Sequence, residues 1–206
     1  MTDAAAVLSP TAARIHGWAV ILGPLLLLAS TLAFLTEGGV NAGALGGVIG
    51  VWSVFTLAIG FVGLHRLLEP LAPRAAPVVL AIGLIGFTAG AAFNLLAVVE
   101  APPATAPVAF DAAVVNHGPF VLLALLPWGW FAPLTFVLTG ILLLRTGLAA
   151  RWSALLMVVA GLLFLVGRPA RIDAVALAAD VALVVAMVPL GWAMVSAARR
   201  AVVPTR

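Results

Sequence analysis

Residues 174–198 read AVALAADVALVVAMVPLGWAMVSAA, an apolar run whose only charge is Asp180. A spanning helix needs about 20 consecutive apolar residues, and this stretch supplies them. An ionised carboxylate at the centre of such a helix costs about 2.5–3.5 kcal/mol on insertion scales. Asp180 therefore needs a partner, a proton or a task, and it is the first candidate functional residue.

The rest of the chain has the same character. Of 206 residues, 65% are hydrophobic and 8% charged, and the mean hydropathy is +1.26. A soluble domain carries about 25% charged residues, so this surface suits lipid and not water. The expected fold is all-α: a polytopic membrane helical bundle forming a single transmembrane domain over residues 1–206. Its helices are expected at 15–36, 44–66, 76–100, 114–144, 151–167 and 172–197, with short tails at 1–13 and 199–206. The fourth is interrupted by Pro119, Pro127 and Pro133, since each interior proline removes a backbone donor and kinks or breaks a helix. An alternative splits it into two half-helices near 127–133. The first apolar run is long enough to span, and it is expected to be a retained helix and not a cleaved signal.

The basic residues set the expected orientation. All ten are arginines. With the N-terminus inside, Arg14, Arg66, Arg74, Arg145, Arg151, Arg199, Arg200 and Arg206 face the cytoplasm, and only Arg168 and Arg171 face out. Such a bias puts both termini in the cytoplasm of a multi-pass plasma (cell) membrane protein. The arginines lie in short segments between apolar runs, so they read as topology signals and no nucleic-acid partner is expected. The chain has no cysteine and no lysine. Disulfides, thiolate chemistry, sulfur-based zinc sites and Schiff-base lysines are excluded together.

This topology gathers the acids at the outer end. Glu37, Glu100, Asp111 and Asp173 fall at helix ends there, level with Asn116, His117, Arg168 and Arg171. Asp180 follows Asp173 by seven residues, so the two share nearly one helix face about 10 Å apart along the axis. The candidate catalytic acids are Asp180, Asp173, Glu100 and Glu37. Each has a plainer reading: a solvated turn for Glu37, a headgroup-level helix end for Glu100, a cap or a pairing with Arg171 or Arg168 for Asp173, and an interhelical hydrogen bond for Asp180.

Aromatic residues supply the second set. Trp52 and Phe55 lie one turn apart on the second helix, Phe93 adjoins Asn94 on the third, and Trp128 and Trp130 cluster in the proline-broken region. Rings facing a cavity stabilise cations without trapping them as a nucleophile would; rings facing lipid are the plainer reading. The candidate substrate-binding residues are Trp52, Phe55, Phe93, Asn94, Asn116, His117, Trp128, Trp130 and Arg168. Trp18, Trp152 and Trp192 read as interfacial anchors. His16 and His65, at the inner ends of neighbouring helices, read as interface histidines in preference to haem ligands. No metal and no cofactor are expected. The steps Gly43–Gly47, Gly46–Gly50 and Gly86–Gly90 let helices approach closely; they are expected to compact the bundle around the second and third helices and leave room for a homodimer.

Three function classes fit these residues: an enzyme performing acid–base chemistry on a lipid-like substrate, a small proton-coupled transporter with Asp180 as relay, and a non-catalytic membrane subunit. The size, the segment LHRLLEPLAPRAAPV at 64–78 and the acids at the ends of apolar helices resemble the small actinobacterial integral membrane terpene cyclases of meroterpenoid pathways. The resemblance implies metal-independent cyclisation of a prenyl alkene or epoxide, started by a protonated carboxyl, carried through carbocations and ended by a carboxylate base. The expected partners are then a prenylated small molecule and membrane lipids. The chain has no DDxxD-type aspartate cluster, which agrees with protonation as the start; diphosphate ionisation would need a carboxylate-held magnesium cradle.

Overall fold

A computed structural model describes residues 8–99 and 130–201. Among the described residues every regular element is a helix: α1 Pro10–Thr36, α2 Ala44–Leu68, α3 Ala75–Val99, α4 Phe131–Thr146, α5 Arg151–Gly167 and α6 Asp173–Arg200. Of these, α1, α2, α3 and α6 are long and apolar enough to cross a membrane. The other two are shorter, with 16 residues in α4 and 17 in α5, about 24–26 Å at 1.5 Å per residue.

Local sequence sets the ends. Ser9 caps α1 through its hydroxyl, which accepts from the Ala12 N–H at 3.2 Å, and Pro10 occupies the first turn. Proline costs nothing there because its missing N–H would have no intrahelical partner. The helix consequently starts five residues before the expected position 15. Pro133 likewise falls in the first turn of α4, so it opens a helix and does not kink one. The expected helix at 114–144 is thus described only from Phe131 onward; Pro119 and Pro127 lie outside the described residues. Gly147 ends α4 in the left-handed region, with φ 65°, the usual helix stop for a residue without Cβ.

The six helices form a closed ring. Each packs on its neighbours in sequence, and α6 returns to α1. The contacts give alternating directions. Gly83 meets Thr135 while Gly86 meets Ala132, so α3 and α4 run antiparallel; Gly17 meets Gly191 while Thr31 meets Asp180, so α1 and α6 do too. As a result α1, α3 and α5 finish at the same end as α6 begins. Glu37, Arg168, Arg171, Asp173 and, two turns deeper, Asp180 are gathered at this end, here called the arginine end.

Glycine and hydroxyl side chains hold the ring together. A Cβ at Gly47 would collide with the Asn94 carbonyl on α3, and one at Gly46 with the Phe34 ring on α1. Ser30 donates to the Gly46 carbonyl at 2.7 Å, Ser53 to the Gly23 carbonyl at 3.0 Å and Ser153 to the Ala186 carbonyl at 2.7 Å. Small residues and interhelical hydroxyl bonds are the main means of association where lipid removes the hydrophobic drive. The outside is correspondingly greasy: Leu22, Trp52, Phe55, Leu155, Leu162, Val185 and Trp192 are all exposed. Trp18 and Trp192 meet edge to face, and Arg199 lies over the Trp192 ring.

The closest approach to backbone is at Gly86, where a Cβ would strike the main chain of Phe131 and Ala132. Because backbone cannot rotate away, Gly86→Ala is expected to destabilise the bundle by about 1–2 kcal/mol through overpacking. A lowered unfolding midpoint in detergent checks this, with Gly147→Ala, where a Cβ meets nothing within 4 Å, as a control that reports only backbone strain.

Candidate functional site: an aromatic cavity and a buried arginine–aspartate pair

Inside the ring, at the arginine end, lies a cavity of about 400 Å³. That falls in the range of about 300–1,000 Å³ typical of small-molecule sites. Its described wall is aromatic, made by Phe34, Phe87, Phe93, Trp130, Phe136 and Phe164, and its polar lining comprises Asn41, Asn94, Arg168 and Arg171. Phe87, Phe136 and Phe164 form a chain of ring contacts, with centroids 6.0 Å apart at each step. Asn94 donates from Nδ2 to the Gly90 carbonyl at 2.8 Å. None of the described carboxylates lines the cavity.

Behind the cavity wall sits the second feature. Asp180 is fully buried. Its Oδ2 accepts from the Thr31 hydroxyl at 2.5 Å and from Arg168 Nη2 at 3.1 Å. Arg168 Nη2 also donates to Thr31 Oγ1 at 2.7 Å, so the three groups close a triangle. The guanidinium lies over the Phe164 ring, 4.7 Å from its centroid, with the geometry of a cation–π contact. Phe164 and Arg168 are four residues apart, which places them on one helical face. The triangle ties α1, the end of α5 and α6 together. Two atoms remain without an acceptor or donor among the described residues: Arg168 Nε and Asp180 Oδ1.

The expected acids separate into different surroundings. Asp173 and Asp180 both turn toward the α1 side of α6, in line with their seven-residue spacing. Asp173 Oδ1 accepts from the Val40 N–H at 3.0 Å, and Glu37 Oε2 accepts from the Gly46 N–H at 3.4 Å. Glu37 thereby neutralises part of the positive end of α2, a favourable place for a carboxylate. The turn between α1 and α2 carries positive φ at Gly38, Gly39, Asn41 and Gly43, and this tight path presents Val40 to Asp173. The partner of Arg168 in the structure is Asp180, where the spacing in sequence had offered Asp173.

Among the aromatic candidates, Phe93, Asn94, Trp130 and Arg168 line the cavity. Trp52 and Phe55 do not. They meet edge to face at 6.4 Å on the outside of α2, where Trp52 is 63% exposed. Glu100, Asp111, Asn116, His117 and Trp128 lie outside the described residues, as does the proline-rich stretch 101–110. Thr31, Asn41, Phe34, Phe87, Phe136 and Phe164 emerge only from the structure, which also puts Arg171, read in sequence at this level, on the cavity wall. For Phe164 a sequence signal existed in its helical spacing from Arg168.

The two described histidines have structural partners. His65 is buried, with Nδ1 3.0 Å from the Phe61 carbonyl and Nε2 3.3 Å from Thr139 Oγ1, and its ring stacks on Phe61. His16 Nδ1 lies 2.7 Å from the Ile59 carbonyl. Among the described residues no three His, Asp or Glu side chains gather in a metal-binding group. No protein family, curated protein or solved structure matches the chain, so the site is read on its own chemistry.

Proposed function

We propose that this chain is a six-crossing plasma-membrane protein, both termini cytoplasmic, whose outer-leaflet cavity binds a lipid-like or prenylated small molecule. The observation that carries the reading is the aromatic wall of the cavity at the arginine end. Concave, mostly apolar sites with a few polar groups are the usual form of ligand pockets. The excess of arginines in the segments assigned to the inner side supports the orientation.

Acid-initiated terpene cyclisation is the catalytic form of the same reading. The six rings support it, because indole and phenyl faces stabilise a migrating cation. The described acids support it less, since Glu37, Asp173 and Asp180 each bond a structural partner and none borders the cavity. The ion pair with Arg168 and the hydrogen bond from Thr31 also favour a structural role for Asp180 over that of a proton relay.

A prenylated phenol bearing a diazirine tests the binding proposal. Irradiation with protein in detergent is expected to label peptides containing Phe93 and Trp130, and unlabelled prenyl phenol is expected to compete. Labelling confined to the outer face around Trp52 and Phe55, without competition, refutes the cavity as a binding site. The same incubation without irradiation, searched by mass spectrometry for an isomer of the prenyl phenol, tests the cyclase form.

A further inference from the structure

We propose that the opposite end of the bundle carries a second ligand site, a cavity that takes one acyl chain of an anionic phospholipid while exposed arginines hold the head. This site is separate from the aromatic cavity, and its test does not depend on that cavity binding anything.

The cavity itself is the first argument. At about 230 Å³ it is larger than the apolar cavity of about 150 Å³ that stays dry and binds benzene. It is smaller than the roughly 300 Å³ at which sites for whole small molecules begin. Apart from Trp152 and Ser153, every side chain on its described wall is Leu, Ala, Pro or Met. The Ser153 hydroxyl already donates to the Ala186 carbonyl. Such a wall accepts hydrocarbon and offers almost nothing to a polar head. Along α6 it runs from Ala201 back to Pro189, about 18 Å at 1.5 Å per residue. A small volume spread over that length suits an extended chain better than fused rings.

The second argument is position. Leu8 precedes α1, Leu148, Ala149 and Ala150 lie between α4 and α5, and Ala201 follows α6. The cavity therefore reaches the end of the bundle, where a chain enters and leaves its head at the membrane boundary.

Charge is the third. All described arginines other than Arg168 and Arg171 lie at this end, and all are exposed. Among the described residues none of them forms an ion pair, and Glu69 is the only carboxylate at this end. Arg14, Arg151 and Arg200 adjoin the wall residues Ala13, Ala150 and Ala201 in sequence, which places each Cα about 3.8 Å from one of the wall. A lipid phosphate gains charge-assisted hydrogen bonds from such donors, and basic groups at a membrane surface favour anionic lipid.

The probe is phosphatidylglycerol with a diazirine in one acyl chain, bound to the full chain in neutral detergent at low salt. Irradiation is expected to label the wall at Leu64, Leu67, Leu190 or Met194. Unlabelled phosphatidylglycerol is expected to compete at about tenfold lower concentration than phosphatidylcholine, the ratio expected from one charge-assisted bond. Arg14→Gln/Arg151→Gln/Arg200→Gln, three surface changes of little cost to the fold, is expected to bring that ratio to about one. Ala197→Phe, which adds a ring to the wall, is expected to abolish labelling there; if it fails to fold, the labelled positions of the parent protein decide. Labelling spread over the outward-facing Leu155, Leu162 and Val185 overturns the cavity as a site, as does wall labelling that survives in folded Ala197→Phe. Equal competition by the two phospholipids overturns the anionic head. A ratio that persists in the triple variant overturns the role of the three arginines. Oleate competing at lower concentration than phosphatidylglycerol overturns the phospholipid in favour of a single-chain acid.

Discussion

Asp180→Ala is expected to lower the stability of the folded bundle by about 3–5 kcal/mol, the cost of breaking a buried ion pair from one side. The penalty comes from what stays behind. Arg168 is only 11% exposed in its side chain, and without Asp180 its charge loses its counter-ion. The Thr31 hydroxyl loses its acceptor at the same time. Asp180→Asn is expected to cost less, because the amide oxygen still accepts from Thr31 and Arg168. Asp180→Leu/Arg168→Met, which removes both charges and retains volume, is expected to unfold near the parent midpoint, since apolar replacement of a buried pair is often neutral or better. Thermal unfolding in a single detergent distinguishes these cases. An Asp180→Ala protein as stable as the parent removes the structural account of the pair and returns Asp180 to the candidates for proton transfer.

That the acid mattered was legible in the sequence; what it pairs with was not. One charge in a 25-residue apolar run is visible at once, because insertion energetics make it costly wherever it points. Its partner lies twelve residues earlier, beyond a turn, and the nearer Asp173 competes for the same arginine on paper. The structure gives Asp173 to the Val40 N–H and sends the long arginine side chain back along α6, as flexible stems permit. The helices were legible for a similar reason: length and hydropathy suffice for α1, α2, α3 and α6. Their faces were not. A helix apolar all round carries no periodicity to tell inside from outside, so Trp52 and Phe55 looked as good as Phe93 and Asn94. Ring geometry then put the first pair on the surface and the second in the cavity. The glycine steps held more information than the rings did. Gly46, Gly47 and Gly50 sit where α1 and α3 press on α2, and no larger residue fits there.

Phe136→Ala is expected to cost about 3 kcal/mol, near the lower limit for removing a buried aromatic ring. Phe136 is 1% exposed and contacts Phe61, Phe87 and Phe164, with centroids 5.6, 6.0 and 6.0 Å away. It is therefore the hub of the ring cluster between the cavity and the core. Two terms make up the cost of such a truncation, transfer of the lost atoms and the void they leave. In a membrane the first shrinks, because a ring released from the bundle meets lipid and not water; the second persists, because dispersion contacts across the void are lost in any solvent. The void opens into the existing cavity and enlarges it. Phe136→Ala should therefore weaken the fold yet accept a prenyl phenol with a bulkier ring than the parent protein tolerates, and Phe136→Leu should do less of both. Unfolding midpoints and competition with the photoprobe report the two effects separately. If the fold weakens while ligand size preference is unchanged, Phe136 serves the core alone and the ligand does not reach it.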